Sequence, residues 1–366
     1  IISHLFILEQ APSTRFVSSP RSRCSTMQYL GQPERLDNDF DDVTVQNCFV
    51  TCSDGIRLTG QHWTKPAVTT RIESSGLVRV LCWHGFLDNC RSFSALVPRL
   101  LVASESIISE VVAMDFPGHG QSSHKSLDHP PYEVISDIVF YIAQVVQKLD
   151  WKDKFILIGH SMGAMACTMY AGAFPERIQQ LILLDGFGPD FERPTCVVHR
   201  LRDHVTKRYA GNVSSVKTKR TYPTLEDAIW TRQQTAVKSP GKQWLSYAAA
   251  KEMVIWALER STNEDGEEEG WRFRHDSRLH WPALQAHTLD QAFDFWKSLR
   301  DHEVPTMWLR AEDGWPFSKK WLDRAETFLG SLGTVKTLPG SHHFHADPET
   351  VGVVTETILE NLKHIS

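Results

Sequence analysis

No apolar run in the chain approaches the roughly 18 residues that a helix needs to cross a bilayer, so no membrane span is expected. Positive charge is not in surplus either: 39 Lys and Arg stand against 44 Asp and Glu, for a formal net charge of -5. That balance supplies no general attraction to a phosphate backbone, and a nucleic-acid partner is not expected. Cysteine is sparse, 7 in 366 residues, odd in number and without a C-x-x-C pair. Neither a disulfide framework nor a zinc site is indicated, and a cytoplasmic compartment fits best, with a mitochondrial or peroxisomal one as alternatives. The apolar opening residues lack the basic stretch that precedes the core of a signal peptide. Residues 1–26 carry Arg15, Arg21 and Arg23, several serines and Glu9 as their one acid, and the first methionine is Met27. They read as a disordered or non-native leader, or as a mitochondrial transit segment.

What is present is an ordinary globular composition, 41% hydrophobic and 23% charged, long enough for one α/β domain with an insertion or for two smaller domains. Residues 43–50 and 56–63 alternate apolar and polar around Ser53-Asp54-Gly55, which predicts a β-hairpin. Residues 77–83 and 110–115 are nearly continuous β-branched runs followed by glycines, the pattern of parallel strands buried on both faces. Helical spacing at 91–102, 132–149 and 161–174 alternates with strand runs at 154–158 and 180–184. After Asp185 the rhythm breaks. Residues 193–302 show helical stretches at 225–235 and 247–259 and no strand-like run, and the alternation resumes at 304–310, 319–329, 334–338 and 349–362. The expectation is an α/β protein: a doubly wound, mostly parallel sheet with an inserted helical lid. Its parts are a leader over 1–40, a core over 41–186 and 303–366, and a lid over 187–302. The acidic run Glu264, Asp265, Glu267, Glu268 and Glu269 reads as a solvated loop of that lid.

Chemistry is concentrated at Gly159-His160-Ser161-Met162-Gly163, set between an apolar strand and a helix. A sharp strand-to-helix bend needs glycines where backbones come too close for a Cβ, and it lifts a serine hydroxyl to a helix N-terminus that favours developing negative charge. A serine hydroxyl needs a base. Leu338-Pro339-Gly340-Ser341-His342-His343-Phe344-His345 follows the last strand run and offers His342, with His343 and His345 as alternatives. No carboxylate or cysteine pattern accompanies the three histidines, so no metal is assigned. The base needs a carboxylate. Asp313, just after the strand run at 304–310, gives the order Ser, Asp, His; Asp185, ending the run before the insertion, is the rival. Backbone N–H groups of Met162 and Phe86 are the candidate oxyanion donors. The glycine spacing of Asp115-Phe116-Pro117-Gly118-His119-Gly120-Gln121-Ser122 fits no nucleotide-binding pattern, which leaves a structural turn.

Together, His84-Gly85-Phe86-Leu87-Asp88-Asn89, residues 115–123, the bend at Gly159–Gly163 and Gly340-Ser341-His342 resemble the α/β-hydrolase superfamily over residues 40–365, and most closely the serine hydrolase-like protein family. The resemblance implies that fold and a serine nucleophile without a cofactor. The function expected from these residues is cleavage of a small ester-like substrate through an acyl-enzyme, as in carboxylesterases. Serine at the bend argues against the dehalogenase and epoxide-hydrolase chemistries of the same fold, which use a carboxylate there. Many members place glycine three residues before the acid, whereas Ala311 stands there relative to Gly314, a departure that favours Asp185. A binding protein with little or no turnover and an acyltransferase are the alternative functions. Six of the twelve tryptophans fall in the insertion (Trp230, Trp244, Trp256, Trp271, Trp281, Trp296), either lining an apolar substrate pocket or packing the lid. The oligomeric state is left open.

Overall fold

The computed structural model describes residues 26–36, 40, 42–65, 78–103, 108–126, 132, 136–189, 197–213, 220–263, 265–281, 287–330 and 332–363. The strands are β1 (Gln28–Arg35), β2 (Thr44–Thr51), β3 (Arg57–Thr64), β4 (Val78–Trp83), β5 (Ile108–Met114), β6 (Phe155–His160), β7 (Ile178–Leu184), β8 (Leu258–Thr262), β9 (Glu268–Phe273), β10 (Thr306–Asp313) and β11 (Gly333–Ser341). The helices are α1 (Leu96–Ala103), α2 (Ser136–Leu149), α3 (Met162–Ala173), α4 (Val197–Val213), α5 (Leu225–Val237), α6 (Tyr247–Ala257), α7 (Leu289–Asp301), α8 (Lys319–Leu329) and α9 (Val351–Leu362). Nine strands form one sheet in the order β1-β2-β3-β5-β4-β6-β7-β10-β11. From β5 to β11 the pairs are parallel, while β1 to β3 add an antiparallel edge.

Every residue of β6 is buried, as a strand covered on both faces must be. One face packs Leu81, Leu157, Leu183 and Trp308 against α2 and α3; the other packs Ile156, Ile158, Ile182 and Leu309 against α1 and α9. The chain winds outward in both directions from β4, so the strand order reverses between β4 and β6, and a crevice opens at their C-terminal ends. The loop after β4 and the bend after β6 both empty into it.

Two expectations are corrected. Gln28–Arg35, inside the span read as leader, is a strand paired antiparallel with β2. All eight residues are exposed, so the segment has no buried face to betray it, and an edge strand tolerates Pro33. Residues 1–25, including the transit-segment pattern, lie outside the described residues. The span expected to lack strands contains the hairpin β8/β9, which turns at the acidic run through Gly266 at φ +83°. Its strands carry Glu, Arg and Thr in place of an apolar alternation, which hid them.

Between β7 and β10, α5 and α6 share a small core of Ile229, Leu245, Met253 and Val254. Thr224 opens α5 with a capping box, its hydroxyl accepting from Asp227 N–H at 3.1 Å. α6 is bolted to the sheet loops. Asn89 Nδ2 donates to Met253 O at 2.8 Å, Gln121 Nε2 to Trp256 O at 2.6 Å, and Trp256 Nε1 to Asp115 Oδ2 at 2.6 Å. α7 instead joins the main core through Trp296, whose indole donates to Gly188 O. Among the described residues, no helix is long and apolar enough to cross a membrane. The five described cysteines are buried thiols.

Candidate active site

Ser161 sits at φ 51°, ψ -116°, a conformation few side-chain-bearing residues hold and one that marks a strained, over-determined bend. Its N–H donates to Leu184 O at 3.0 Å, and its carbonyl accepts from Ala164 and Met165 as α3 begins. The flanking glycines are forced. A Cβ on Gly159 would lie 2.5 Å from Gly163 O, and one on Gly163 would lie 2.2 Å from Trp83 O.

Two residues past β7, the chain is pressed against the same bend: a Cβ on Gly186 would stand 2.6 Å from Ser161 O. Between them, Asp185 is held at φ 40° with its carboxylate turned inward. Oδ1 accepts from Ala311 N–H at 3.0 Å; Oδ2 accepts from Trp315 N–H at 2.8 Å and faces His342 Nδ1 at 2.6 Å. His342 is further fixed through its backbone, donating N–H to Gln243 Oε1 and accepting from His160 Nε2, both at 2.8 Å. With Nδ1–H given to Asp185, the tautomer leaves Nε2 as the free base nitrogen.

Asp313, expected to supply the acid, stands apart. Its side chain is 45% exposed and lies 3.9 Å from Lys242 Nζ. The turn from Ala311 to Trp315 does not donate a carboxylate; it wraps one, giving its N–H groups to Asp185. Gly314 has no Cβ because one would lie 2.4 Å from Asp185 Oδ2. The departure from the glycine pattern noted in the sequence was the signal for this.

The neighbouring histidines do other work. His343 Nε2 lies 3.0 Å from Asp88 Oδ2, and burial keeps His343 below its usual imidazole pKa. His345 is wholly buried, and burial pushes it down to about 3. Burial, with His345, His342 and His343 around it, holds His160 well below its ordinary value. Burial would raise the Asp88 carboxyl, but His343 and Arg232 hold it well below the usual range, Arg232 bonding Oδ1 at 2.6 Å. Asp88, His160 and His343 bring three possible metal-ligating atoms within 4.8 Å of one another. The Arg232 guanidinium is already in place as the counter-ion, 3.2 Å from His343 Nε2, so the donor set works as an ion-pair network that ties α5 to the histidine loop.

Phe86 and Met162 face the crevice from its two sides. Met162 N–H is at the first turn of α3, where no intrahelical acceptor exists. The Phe86 loop is held by His84, whose Nδ1 bonds Gly85 O at 2.7 Å while Nε2 accepts Phe116 N–H at 3.0 Å. The turn after β5 is indeed scaffolding: Asp115 gathers Cys90 N–H, Gln121 N–H and the Thr59 hydroxyl around its buried carboxylate. Between Phe86 and Met162 runs a narrow cleft walled by Phe116, Ile138, Tyr141 and Leu279, with about 20 Å³ of room. That space holds about one water. The insertion's tryptophans are absent from its described walls. Trp256 and Trp296 pack the main cores and Trp230 is exposed.

Comparison with known proteins bears on the fold and the family. A model of the alpha/beta hydrolase fold matches residues 78–347. The serine hydrolase-like protein of Danio rerio is 30% identical over 299 residues, which are 77% of this chain and 81% of that protein. The serine hydrolase-like protein of Mus musculus is 26% identical over 78% of this chain and 90% of its own length. The crystal structure of a hypothetical protein from Pseudomonas aeruginosa matches with a TM-score of 0.66 and 28% identity, covering 89% of this chain and 97% of that one.

Proposed function

We propose, on the premise that this chain belongs to the α/β-hydrolase fold family and to its serine hydrolase-like group, that it hydrolyses small ester-like substrates through an acyl-enzyme on Ser161. The observation that carries the proposal is the 2.6 Å contact of His342 Nδ1 with the buried Asp185 carboxylate, beside a serine raised on a strained bend.

In this reading, His342 Nε2 takes the Ser161 proton as Oγ attacks the ester carbonyl carbon, and Asp185 stabilises the imidazolium. The carbonyl oxygen becomes an oxyanion, held by the N–H groups of Met162 and Phe86 at the head of α3. Each such donor contributes about 3 kcal/mol to lowering the barrier. Collapse expels the alcohol, which leaves with the proton from His342. Water then gives a proton to the same nitrogen and attacks the acyl carbon, releasing the acid and restoring Ser161. Every step is proton and acyl transfer by the chain's own groups. The segment between β7 and β10 serves as a lid.

A fluorophosphonate probe is expected to label Ser161 in the folded protein, with labelling lost in Ser161→Ala. A panel of p-nitrophenyl esters of graded acyl length is expected to lose roughly 10⁴-fold or more of its turnover in the same variant. Folded protein that binds the esters, is not labelled and turns none of them over would make this a binding protein and sink the proposal.

A further inference from the structure

Helix α4 turns an apolar face to solvent. Val197, Val198, Leu201, Val205 and Tyr209 are 57%, 80%, 51%, 54% and 75% exposed. At about 100° per residue these five fall within an arc of about 120°, so they form one continuous stripe. A stripe of this kind marks an interaction surface, whereas single exposed apolar residues do not. The helix meets the protein through His204, which is 2% exposed, edge-on to Trp281 and about 20° round the helix from Val197 at the stripe's edge. Arg202 and Arg208 lie on the outward side with the stripe. Asp203, the helix's one acid, is 3.3 Å from His199.

Charge is concentrated here against the trend of the chain. From Arg200 to Arg220 the sequence holds seven Lys and Arg and one acid, although the whole chain carries -5. A basic helix with an exposed aliphatic stripe is built to lie in a negatively charged interface. Nucleic acid would engage the arginines and leave five apolar side chains wet. A second copy would bring Arg202 and Arg208 against their own equivalents. A lipid surface satisfies both halves of the helix, since aliphatic side chains enter the acyl boundary without needing a shaped partner.

The helix also stands beside the candidate site. His204 of this helix lies edge-on to Trp281 at 6.4 Å, and Trp281 is next in the chain to His280. His280 lies edge-on to Phe86 at 5.9 Å, and Phe86 is 43% exposed at the mouth of the cleft. We propose that α4 is an interfacial helix that seats Val198, Leu201, Val205 and Tyr209 in the surface of an anionic phospholipid bilayer, with Arg202 and Arg208 on the lipid phosphates. Resting on the ester-hydrolase reading, this contact brings the Phe86 rim to esters carried in or on the bilayer.

The test uses the full chain with Ser161→Ala, so that binding is measured without turnover and does not depend on the esterase reading. In flotation with phosphatidylcholine vesicles, binding is expected only when phosphatidylserine is included, and it is expected to fall with added salt. Leu201→Gln/Val205→Gln is expected to lose roughly tenfold or more of the binding, and Arg202→Gln/Arg208→Gln severalfold. All four positions lie on the helix exterior, so thermal melting is expected to be unchanged, and Leu201→Met should keep binding. Three results would each overturn the proposal. They are no binding to either vesicle, equal binding by the glutamine variants, or a parent dimer in sedimentation that Leu201→Gln/Val205→Gln dissociates.

Discussion

Two adjacent histidines face two buried carboxylates, and the pairs differ in what else surrounds the carboxylate. Asp88, opposite His343, already has the Arg232 guanidinium on its other oxygen, so its charge is compensated whatever the imidazole does. Asp185, opposite His342, has neutral N–H donors from Ala311 and Trp315, and its one described ion-pair partner is His342 itself. A carboxylate satisfied by an arginine fixes structure. One held by neutral dipoles still gains from a cation, and an imidazole that becomes cationic during a reaction supplies it. The same loop thus carries a structural pair and, on the proposed reading, a catalytic pair in successive residues.

The sharpest way to break this comparison is to remove each carboxylate's charge. Asp185→Asn is expected to lower kcat on a p-nitrophenyl ester by roughly 10⁴-fold, while Asp313→Asn stays near the parent rate. Equal losses in both would return Asp313 to the site. Asp88→Asn is expected to act mainly on stability. It leaves Arg232 without its buried counter-ion, for a loss of about 3–5 kcal/mol in denaturant titration.

The sign of the pH dependence sharpens the contrast further. Burial pushes His345 down to about 3, so between that pH and its ordinary value of 6.5 the unfolded chain holds a proton that the folded one does not. Stability should therefore fall as pH drops through this window, and His345→Leu should reduce the slope of denaturation free energy by up to one proton. An unchanged slope would mean that His345 is not buried and neutral. The smallest effect is steric. Gly314→Ala places a Cβ 2.4 Å from Asp185 Oδ2, and the shift it forces is expected to cost roughly 10- to 100-fold in kcat with little change in KM.

Much of the fold was legible in the sequence, because buried parallel strands are continuous apolar runs and the alternation with helices is regular. The bend at Ser161 was equally plain, since its glycines answer a local crowding that any such turn creates. The acid was not, because it is chosen by which neighbour's N–H groups converge on it in space. Ala311 and Trp315 are 126 and 130 residues from Asp185, and the displaced glycine at Ala311 and Gly314 was the sequence's one hint against Asp313. β1, β8 and β9 escaped for a simpler reason: their residues are largely polar, and their pairing rests on backbone bonds that leave little trace in side-chain pattern.

The three bonds that bolt α6 to Asn89, Asp115 and Gln121 make that helix part of the rigid sheet framework. α4, by contrast, meets the described residues through His204 and turns its apolar stripe outward. On the proposed reading, the roof over the crevice is therefore asymmetric, with one wall tied to the sheet and the other resting on the lipid surface. Passage to Ser161 would follow from a small rotation of α4 and the Phe86 rim, without the whole insertion lifting. Rates of entry would then track the surroundings of that single helix, so the surface it rests on would govern access to the serine.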